Sequence, residues 1–446
     1  MASSVFTLFW DKKNGPDDLQ EQSSLLSLKR GIWIYFFLLI FEGALRKWFL
    51  PFLSGPLLIV RDPIAVWLLY NAYRKGFFKP NMYISIAWTL MIISFYTTLF
   101  FGHGDILVAL FGFRIFFLQF PVIFLIGSLF NKEDVNQLGK ALLWIHIGMT
   151  ILVAIQFYSP QTAWVNRGIG GDLDGSGFSG GGGYFRVPGT FSFTNGLSMF
   201  YGLVGVFVFY FWLDETTNIS KWLLIIASFC LLAAIPLSIS RSVFFQVIVT
   251  GIFSVFTTAK RPKAFWRIIG TFLTGILLFY LLSMMTFFQT AVSAFTERFT
   301  RASETEGGLE GTLIERYLGG SFSALTQQAN IDFWGAGLGM GTNVGASLLI
   351  GKRAFLISEG EWGRIIGEMG FFLGVIIIIL RFVLVMNMFK KTWNAISKGN
   401  YLPWLLFSFG GPLVLFGSLA QPTALGFSVF AGGLLLSSLN DRNANA

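Results

Sequence analysis

The sequence predicts an all-α, polytopic integral membrane protein with about twelve transmembrane helices, and three observations support this fold class. Of its 446 residues, 54% are hydrophobic and only 12% are charged, whereas soluble domains carry about 25% charged residues. Many apolar runs approach or exceed the roughly 20 residues that a helix needs to cross a bilayer. About half of the segments that separate these runs are polar and contain Lys or Arg, as cytoplasmic loops between spans do.

Apolar windows place the spans between a polar N-terminal segment, 1–31, and a polar tail, 439–446. The N-terminal segment lacks the order of a cleavable signal peptide, in which a basic start precedes an apolar stretch and a small-residue cleavage site. The predicted spans are 32–50, 57–73, 82–101, 106–130, 138–158, 191–213, 221–239, 242–258, 265–287, 366–389, 402–419 and 423–438.

The distribution of Lys predicts the orientation of these spans. Thirteen of the fifteen Lys lie in the N-terminal segment or in or beside one alternating set of loops, and basic residues beside span ends mark the cytoplasmic side. Both termini are therefore expected in the cytoplasm. Nine spans within 32–287 precede a large outward loop, 288–365, and three spans within 366–438 follow it. A Gly-rich loop, 159–190, also faces outward, and a helix-like stretch near 309–329 predicts a partly helical cap.

The composition argues against a metal or nucleotide site. A single Cys, Cys230, excludes an intrachain disulfide and a Cys-based metal cluster, and only two His are present, His103 and His146. The run "SGGGG" in the Gly-rich loop lacks the following Gly-Lys-Ser/Thr of a phosphate-binding nucleotide loop. We interpret it as a flexible hinge. No metal, cofactor or nucleic-acid partner is expected.

The outward segments carry Arg where the cytoplasmic segments carry Lys. The planar guanidinium binds phosphate in two-point fashion, whereas an ammonium is only a point charge, so this bias predicts an anionic, phosphate-bearing ligand. The alternative is that acidic residues of the loops or lipid headgroups pair with these side chains. The outward Arg are Arg167, Arg186, Arg241, Arg298, Arg301, Arg316, Arg353 and Arg364.

Three of these residues stand beside a span end, where unsatisfied backbone N–H groups and the helix dipole also favour anions. Arg186 precedes the sixth span, Arg241 lies on the tight turn between the seventh and eighth, and Arg364 opens the tenth. We predict that they converge on one diphosphate. Two acids at the end of the large loop, Glu359 and Glu361, are candidates for a general base. The alternative for both is a helix cap.

Charged residues within the apolar runs are costly unless they pair or line a wet cavity. Glu42 and Arg46 are four residues apart and can pair within one helix, and we also expect a structural ion pair for Asp62. Arg114 has no acid in its own span, so we predict that it lines a cavity. Arg381 receives no role.

Four motifs together resemble the superfamily of O-antigen ligases and O-antigen polymerases, which are integral-membrane glycosyltransferases. They are "RVPGTFSFTNGLSMF" after an outward loop, "LSISRS" at a short turn, a large outward loop late in the chain, and "EGEWGRIIGEMGFFLG" at its exit. The stretches "FEGALRKWFLPFLSGPLLIVRDPI" and "FGFRIFFLQFPVIFLI" also look like family members associated with exopolysaccharide. The resemblance spans roughly 40–380.

The resemblance implies a GT-C-like fold in the bacterial inner membrane, with an active site that faces the periplasm. The implied donor is a glycan linked to undecaprenyl diphosphate, used without metal or nucleotide sugar, and the family's diphosphate ligands carry over to Arg186 and Arg241. Ligases have a His nine residues before the Glu of the "ExG" motif. That Glu corresponds to Glu368 here and the His position to Glu359, a departure that favours a polymerase over a ligase.

The sequence therefore predicts a polymerase that joins lipid-linked repeat units into a surface polysaccharide. Arg186 and Arg241, assisted by Arg364, Arg316 and Arg114, would hold the diphosphate, and Glu359 or Glu361 would act as the base. Expected partners are the lipid-linked donor, a glycan acceptor and membrane lipids, with a flippase and a chain-length regulator as further candidates. The alternatives are a ligase and a transporter of lipid-linked oligosaccharides. Transporters commonly contain internal repeats, and the sequence shows no clear repeat.

Overall fold

The computed structural model describes residues 16–214, 216–258, 262–305, 332–352, 354–358 and 360–440, which are predominantly helical. Two π-helical turns, Leu45–Phe49 and Ile115–Gln119, extend or join helices, and short 3-10 turns occupy Pro51–Leu53, Pro56–Ile59 and Trp164–Asn166. The α-helices of the described residues are α1 (Pro16–Ala44), α2 (Arg61–Arg74), α3 (Met82–Phe101), α4 (Ile106–Arg114), α5 (Phe120–Leu129), α6 (Lys132–Tyr158), α7 (Thr194–Leu213), α8 (Lys221–Leu237), α9 (Arg241–Thr258), α10 (Pro262–Ser283), α11 (Thr286–Thr305), α12 (Asn343–Ile350), α13 (Glu361–Ser397), α14 (Leu402–Phe416) and α15 (Pro422–Ser438).

An all-α, multi-pass architecture is confirmed, but the number of twelve spans is not shown. Each predicted window contains a helix, yet only seven described helices are long and apolar enough to cross a membrane, or eight if a bent pair counts as one span. The helices α8, α14 and α15 are apolar but shorter. The seven are Gln20–Phe49, Met82–Phe101, Ile106–Leu129, Lys132–Tyr158, Thr194–Leu213, Arg241–Thr258 and Glu361–Ser397.

Helix α7 is the most enclosed of these candidate spans, with 83% of its apolar window buried. It packs against α6, α8, α9, α14 and α15, and its Phe, Tyr, Val and Leu side chains fill the space between them. The motif that carries Arg186 leads directly into α7. The buried position of α7, the central helix, therefore determines where that motif lies relative to the other helices.

Helix α13 folds back on itself at Gly370, where the backbone is not helical (φ 76°, ψ 168°). In a straight helix two residues twenty apart would be separated by about 30 Å. Arg381 Nη1 nevertheless lies 2.9 Å from Glu361 Oε1. A side chain at Gly370 would overlap the carbonyl oxygen of Phe333, so glycine is needed there. Residues 361–369 therefore pack alongside the following segment, which corrects the expectation of one straight span from 366.

Helices α10 and α11 meet at a sharp bend, 107° between Leu273–Ser283 and Thr286–Thr300. One side of α11 buries Ala291, Ala294 and Phe295, and α11 packs against α8. The large loop thus begins with an amphipathic helix that lies across the bundle. The helix expected near 309–329 falls outside the described residues.

Candidate functional site

Arg186 lies on a small β-hairpin within the Gly-rich loop. Strand β1 (Phe178–Ser179) pairs antiparallel with strand β2 (Phe185–Arg186), and Phe178 is opposite Arg186. The Phe178 ring lies 6.1 Å from the ring of Phe193, the residue that precedes α7. The hairpin is therefore held against the start of the central helix, and the Arg186 side chain is partly exposed there.

Arg241 begins α9 immediately after a strained turn. Ile239 has a positive φ of 46°, which is rare for a β-branched residue and costs on the order of 1–3 kcal/mol. The hydroxyl groups of Ser240 and Ser198, the latter in the first turns of α7, are 2.8 Å apart. Backbone strain of this kind persists only where the surroundings impose it, and it is concentrated at functional sites.

The hairpin and the strained turn contact each other, and α11 packs against the hairpin. A Cβ atom at Gly180 would lie 2.9 Å from Cδ1 of Ile239. A Cβ atom at Gly181 would overlap the carbonyl oxygen of Ala294 in α11. The glycines therefore allow close approach of the backbone, which corrects the interpretation of this run as a free hinge. The elements that carry Arg186 and Arg241 meet beneath α11.

The turn that links Arg186 to α7 is held by hydrogen bonds from two distant helices. Gln156 Oε1 accepts from the N–H of Gly189 at 2.9 Å, and Gln156 Nε2 donates to the Gly189 carbonyl at 3.2 Å. Lys47 Nζ donates to the same carbonyl at 2.7 Å. Both polar groups of the Gly189 peptide are thus bound, so the turn has one defined position.

The next residues are fixed to the end of α1. Thr190 Oγ1 donates to the Ile40 carbonyl at 2.7 Å, and Arg46 Nη1 donates to Ser192 Oγ at 3.0 Å. A side chain at Gly43 would overlap the backbone of residues 190–192. Thr190 and Ser192 therefore bind α1 and the π-helical turn that follows it.

Arg364 lies inside the protein between two carboxylates and is only 3% exposed. Its guanidinium contacts Glu361 Oε1 at 2.9 Å and Glu368 Oε2 at 2.5 Å. Glu368 Oε1 also accepts from the N–H of Gly341, in the large loop. The donors of Arg364 are therefore directed to internal partners, which contradicts its predicted role as a diphosphate ligand.

Glu361 is the centre of this buried charge cluster. Besides Arg364, it accepts from Arg381 Nη1 at 2.9 Å and from the N–H of Leu419 at 3.0 Å. Arg381 completes its hydrogen bonds with the carbonyls of Val414 and Gly417. A carboxylate that is 5% exposed and bonded in this way holds helices together, and its geometry does not present it to a substrate as a base.

Arg114 also has an internal partner. Its Nη1 lies 2.9 Å from both carboxylate oxygens of Asp62, and Gln119 Nε2 donates to the same Asp62. The predicted role of Arg114 in a cavity is replaced by an interhelical ion pair, since the acid comes from α2 and not from its own span. The expected structural pairs of Glu42 with Arg46 and of Asp62 are confirmed.

Two predicted site residues, Arg316 and Glu359, lie outside the described residues, so their roles stay predictions. The structure also brings Lys47 to the turn that follows Arg186, a position for which the sequence predicted no role. The sequence did show that Lys47 is unusual, because Lys47 and Lys352 are the two Lys outside the predicted cytoplasmic segments.

The fold is that of a predominantly helical protein with several helices long and apolar enough to cross a membrane. Comparison with protein-family models, curated proteins and solved structures finds no match.

Replacing Gly181 by alanine is expected to separate the hairpin from α11 and to lower the melting temperature of the purified protein, because the new methyl group overlaps the backbone carbonyl of Ala294. Gly183→Ala is the matched control. Gly183 has a φ of 79° but open space around its Cβ position, so its replacement costs only about 1 kcal/mol of strain. Thermal unfolding in detergent measures both variants, and equal melting temperatures would contradict the packing role of Gly181.

Proposed function

We propose that this chain is a membrane glycosyltransferase that polymerises oligosaccharide repeat units linked to undecaprenyl diphosphate, at the periplasmic face of a bacterial inner membrane. The observation that carries the proposal is the contact between the hairpin of Arg186 and the strained turn of Arg241. These are the two motifs whose Arg correspond to diphosphate ligands in the resembling superfamily. Their meeting supports one shared anion site.

In the proposed reaction, a hydroxyl oxygen of the acceptor sugar forms a bond to the anomeric carbon of the donor chain. The bond from that carbon to the diphosphate oxygen breaks, and the electron pair leaves with the lipid diphosphate. Arg186 and Arg241 would stabilise the charge that develops on this leaving group, which is the type of electrostatic contribution that dominates many enzymes. The hydroxyl proton goes to a base. Glu359 remains the candidate for this base, because Glu361 forms hydrogen bonds within the buried charge cluster.

Purified protein in detergent is expected to convert lipid-linked repeat units into longer lipid-linked chains and free undecaprenyl diphosphate. Detergent removes any compartment, so a transporter would leave the substrate unchanged. Mass spectrometry of the lipid-linked products measures the outcome. An unchanged substrate in the presence of folded protein would contradict the proposed enzyme.

The lipid-linked glycan that accumulates in cells that lack the protein distinguishes a polymerase from a ligase. Loss of a polymerase leaves single lipid-linked repeat units, whereas loss of a ligase leaves finished lipid-linked polymer. We expect single units, because the position at which ligases have a His is Glu359 in this chain.

A further inference from the structure

Lys47 is a cation buried in the protein without a described counter-charge. It is 1% exposed, and it lies in the π-helical turn at the end of α1. Among the described residues its contacts are the Gly189 carbonyl, at 2.7 Å, and the face of the Trp48 ring, whose centroid is 4.7 Å from Nζ. The ion pairs of the described residues involve other Lys and Arg side chains.

This environment contrasts with that of the other buried cations. Arg46, Arg61, Arg364 and Arg381 each lie within 4.0 Å of a carboxylate oxygen. A buried charge is costly when nothing opposes it, and the carbonyl and the aromatic face that Lys47 contacts offset only part of that cost. An ammonium group at Lys47 would therefore be stabilised by a negative charge bound nearby.

The proposed anion site would place such a charge close to Lys47. The carbonyl that it binds belongs to Gly189, three residues after Arg186, and three residues span at most about 11 Å. The charge of Lys47 thus lies behind the turn that leads from Arg186 into α7. An ammonium group in this low-dielectric interior would act over a distance of this order more strongly than it would in water.

We infer that Lys47 is a positioning residue of the proposed anion site, where it fixes the turn at Gly189 and adds a buried positive charge that the bound diphosphate balances. This inference rests on the proposed function. Lys47 does not touch the ligand; it acts through the Gly189 peptide and through its electric field. The ligand class is a lipid diphosphate, recognised by its two phosphoryl groups.

The test measures binding of farnesyl diphosphate to the purified full-length protein by titration calorimetry, with inorganic pyrophosphate as the lipid-free probe. Lys47→Met is expected to weaken farnesyl diphosphate binding about tenfold, the effect of one unit charge about 10 Å away at an effective dielectric constant of about 20. Lys47→Arg keeps the charge and is expected to restore most of the affinity. Lys47→Gln keeps a donor for the Gly189 carbonyl but loses the charge, so it should resemble Lys47→Met.

Lys352→Met is the control for net charge, because Lys352 is the other Lys outside the predicted cytoplasmic segments and is exposed; its affinity should equal that of the unmodified chain. If Lys47→Met does not yield folded protein, the comparison of Lys47→Arg with Lys47→Gln decides. Unchanged affinity in Lys47→Gln would overturn the electrostatic role of Lys47 and leave the proposed function standing. Absence of binding by the unmodified chain would overturn the diphosphate site itself, and this inference with it.

Discussion

Replacing either Arg186 or Arg241 by alanine is expected to abolish growth of the polysaccharide while the protein is still made and inserted. Arg241 begins α9, and Arg186 lies on the hairpin that precedes α7. The hairpin and the strained turn before α9 contact each other. In the proposed reaction they oppose the charge that develops on the departing diphosphate, and removal of one such donor costs roughly 100- to 1000-fold in rate. Polymer length on gels and product formation by purified protein measure the loss.

Lysine at the same positions should restore only part of the activity, because it returns the charge but not the planar two-point geometry. Arg167→Ala provides the matched control: Arg167 belongs to the same loop but not to the hairpin, and its loss should leave polymer length near normal. Polymer of normal length in either Arg186→Ala or Arg241→Ala would contradict the shared anion site. A loss of equal size in Arg167→Ala would show that the loop as a whole, and not these two groups, is sensitive to charge.

Replacing Glu361 by glutamine is expected to destabilise the whole bundle. Glu361 accepts hydrogen bonds from both Arg364 and Arg381, and removing one member of a buried ion pair typically costs about 3–5 kcal/mol, since it leaves a buried charge uncompensated. The variant should therefore express poorly and melt at a clearly lower temperature in detergent. Arg381→Met is expected to have an effect in the same direction, because it leaves the carbonyls of Val414 and Gly417 without their donors.

Glu133→Gln is the control for removal of an acid, because Glu133 is exposed at the start of α6, and its melting temperature should stay close to that of the unmodified chain. The experiment also separates two interpretations of Glu361. A variant that melts normally but makes no polymer would identify Glu361 as a base, contrary to the role that its buried contacts indicate.

Some features of the site could be predicted because they depend on local sequence. The motif around Arg186, the short turn before Arg241 and the exit of the large loop are all recognisable by residue type and spacing. Pairing across helices could not be predicted in this way. Arg114 meets Asp62, which is 52 residues away, and that contact depends on how two helices rotate and cross.

Glycine gave the least reliable local signal. A run of glycines is equally compatible with a mobile linker and with a backbone segment that must pass close to another element. Both require the absence of a side chain. Only the position of α11 over Gly181 shows that the second reason applies. Gly370 is similar, since its positive φ turns what reads as one long apolar helix into two packed segments.

The sequence by itself determined that this chain is helical and crosses a membrane several times, because long apolar runs cannot satisfy their backbone in lipid except as helices or closed barrels. Its motifs also predicted Arg186 and Arg241 as ligands of a diphosphate. Only the tertiary structure decided which charges are already neutralised inside the protein. It enclosed Arg364, Arg114 and Glu361 in ion pairs, and it placed Lys47 behind the turn at Gly189. The physical reason is that the cost of a buried charge depends on its neighbours in space, which local spacing along the chain does not specify.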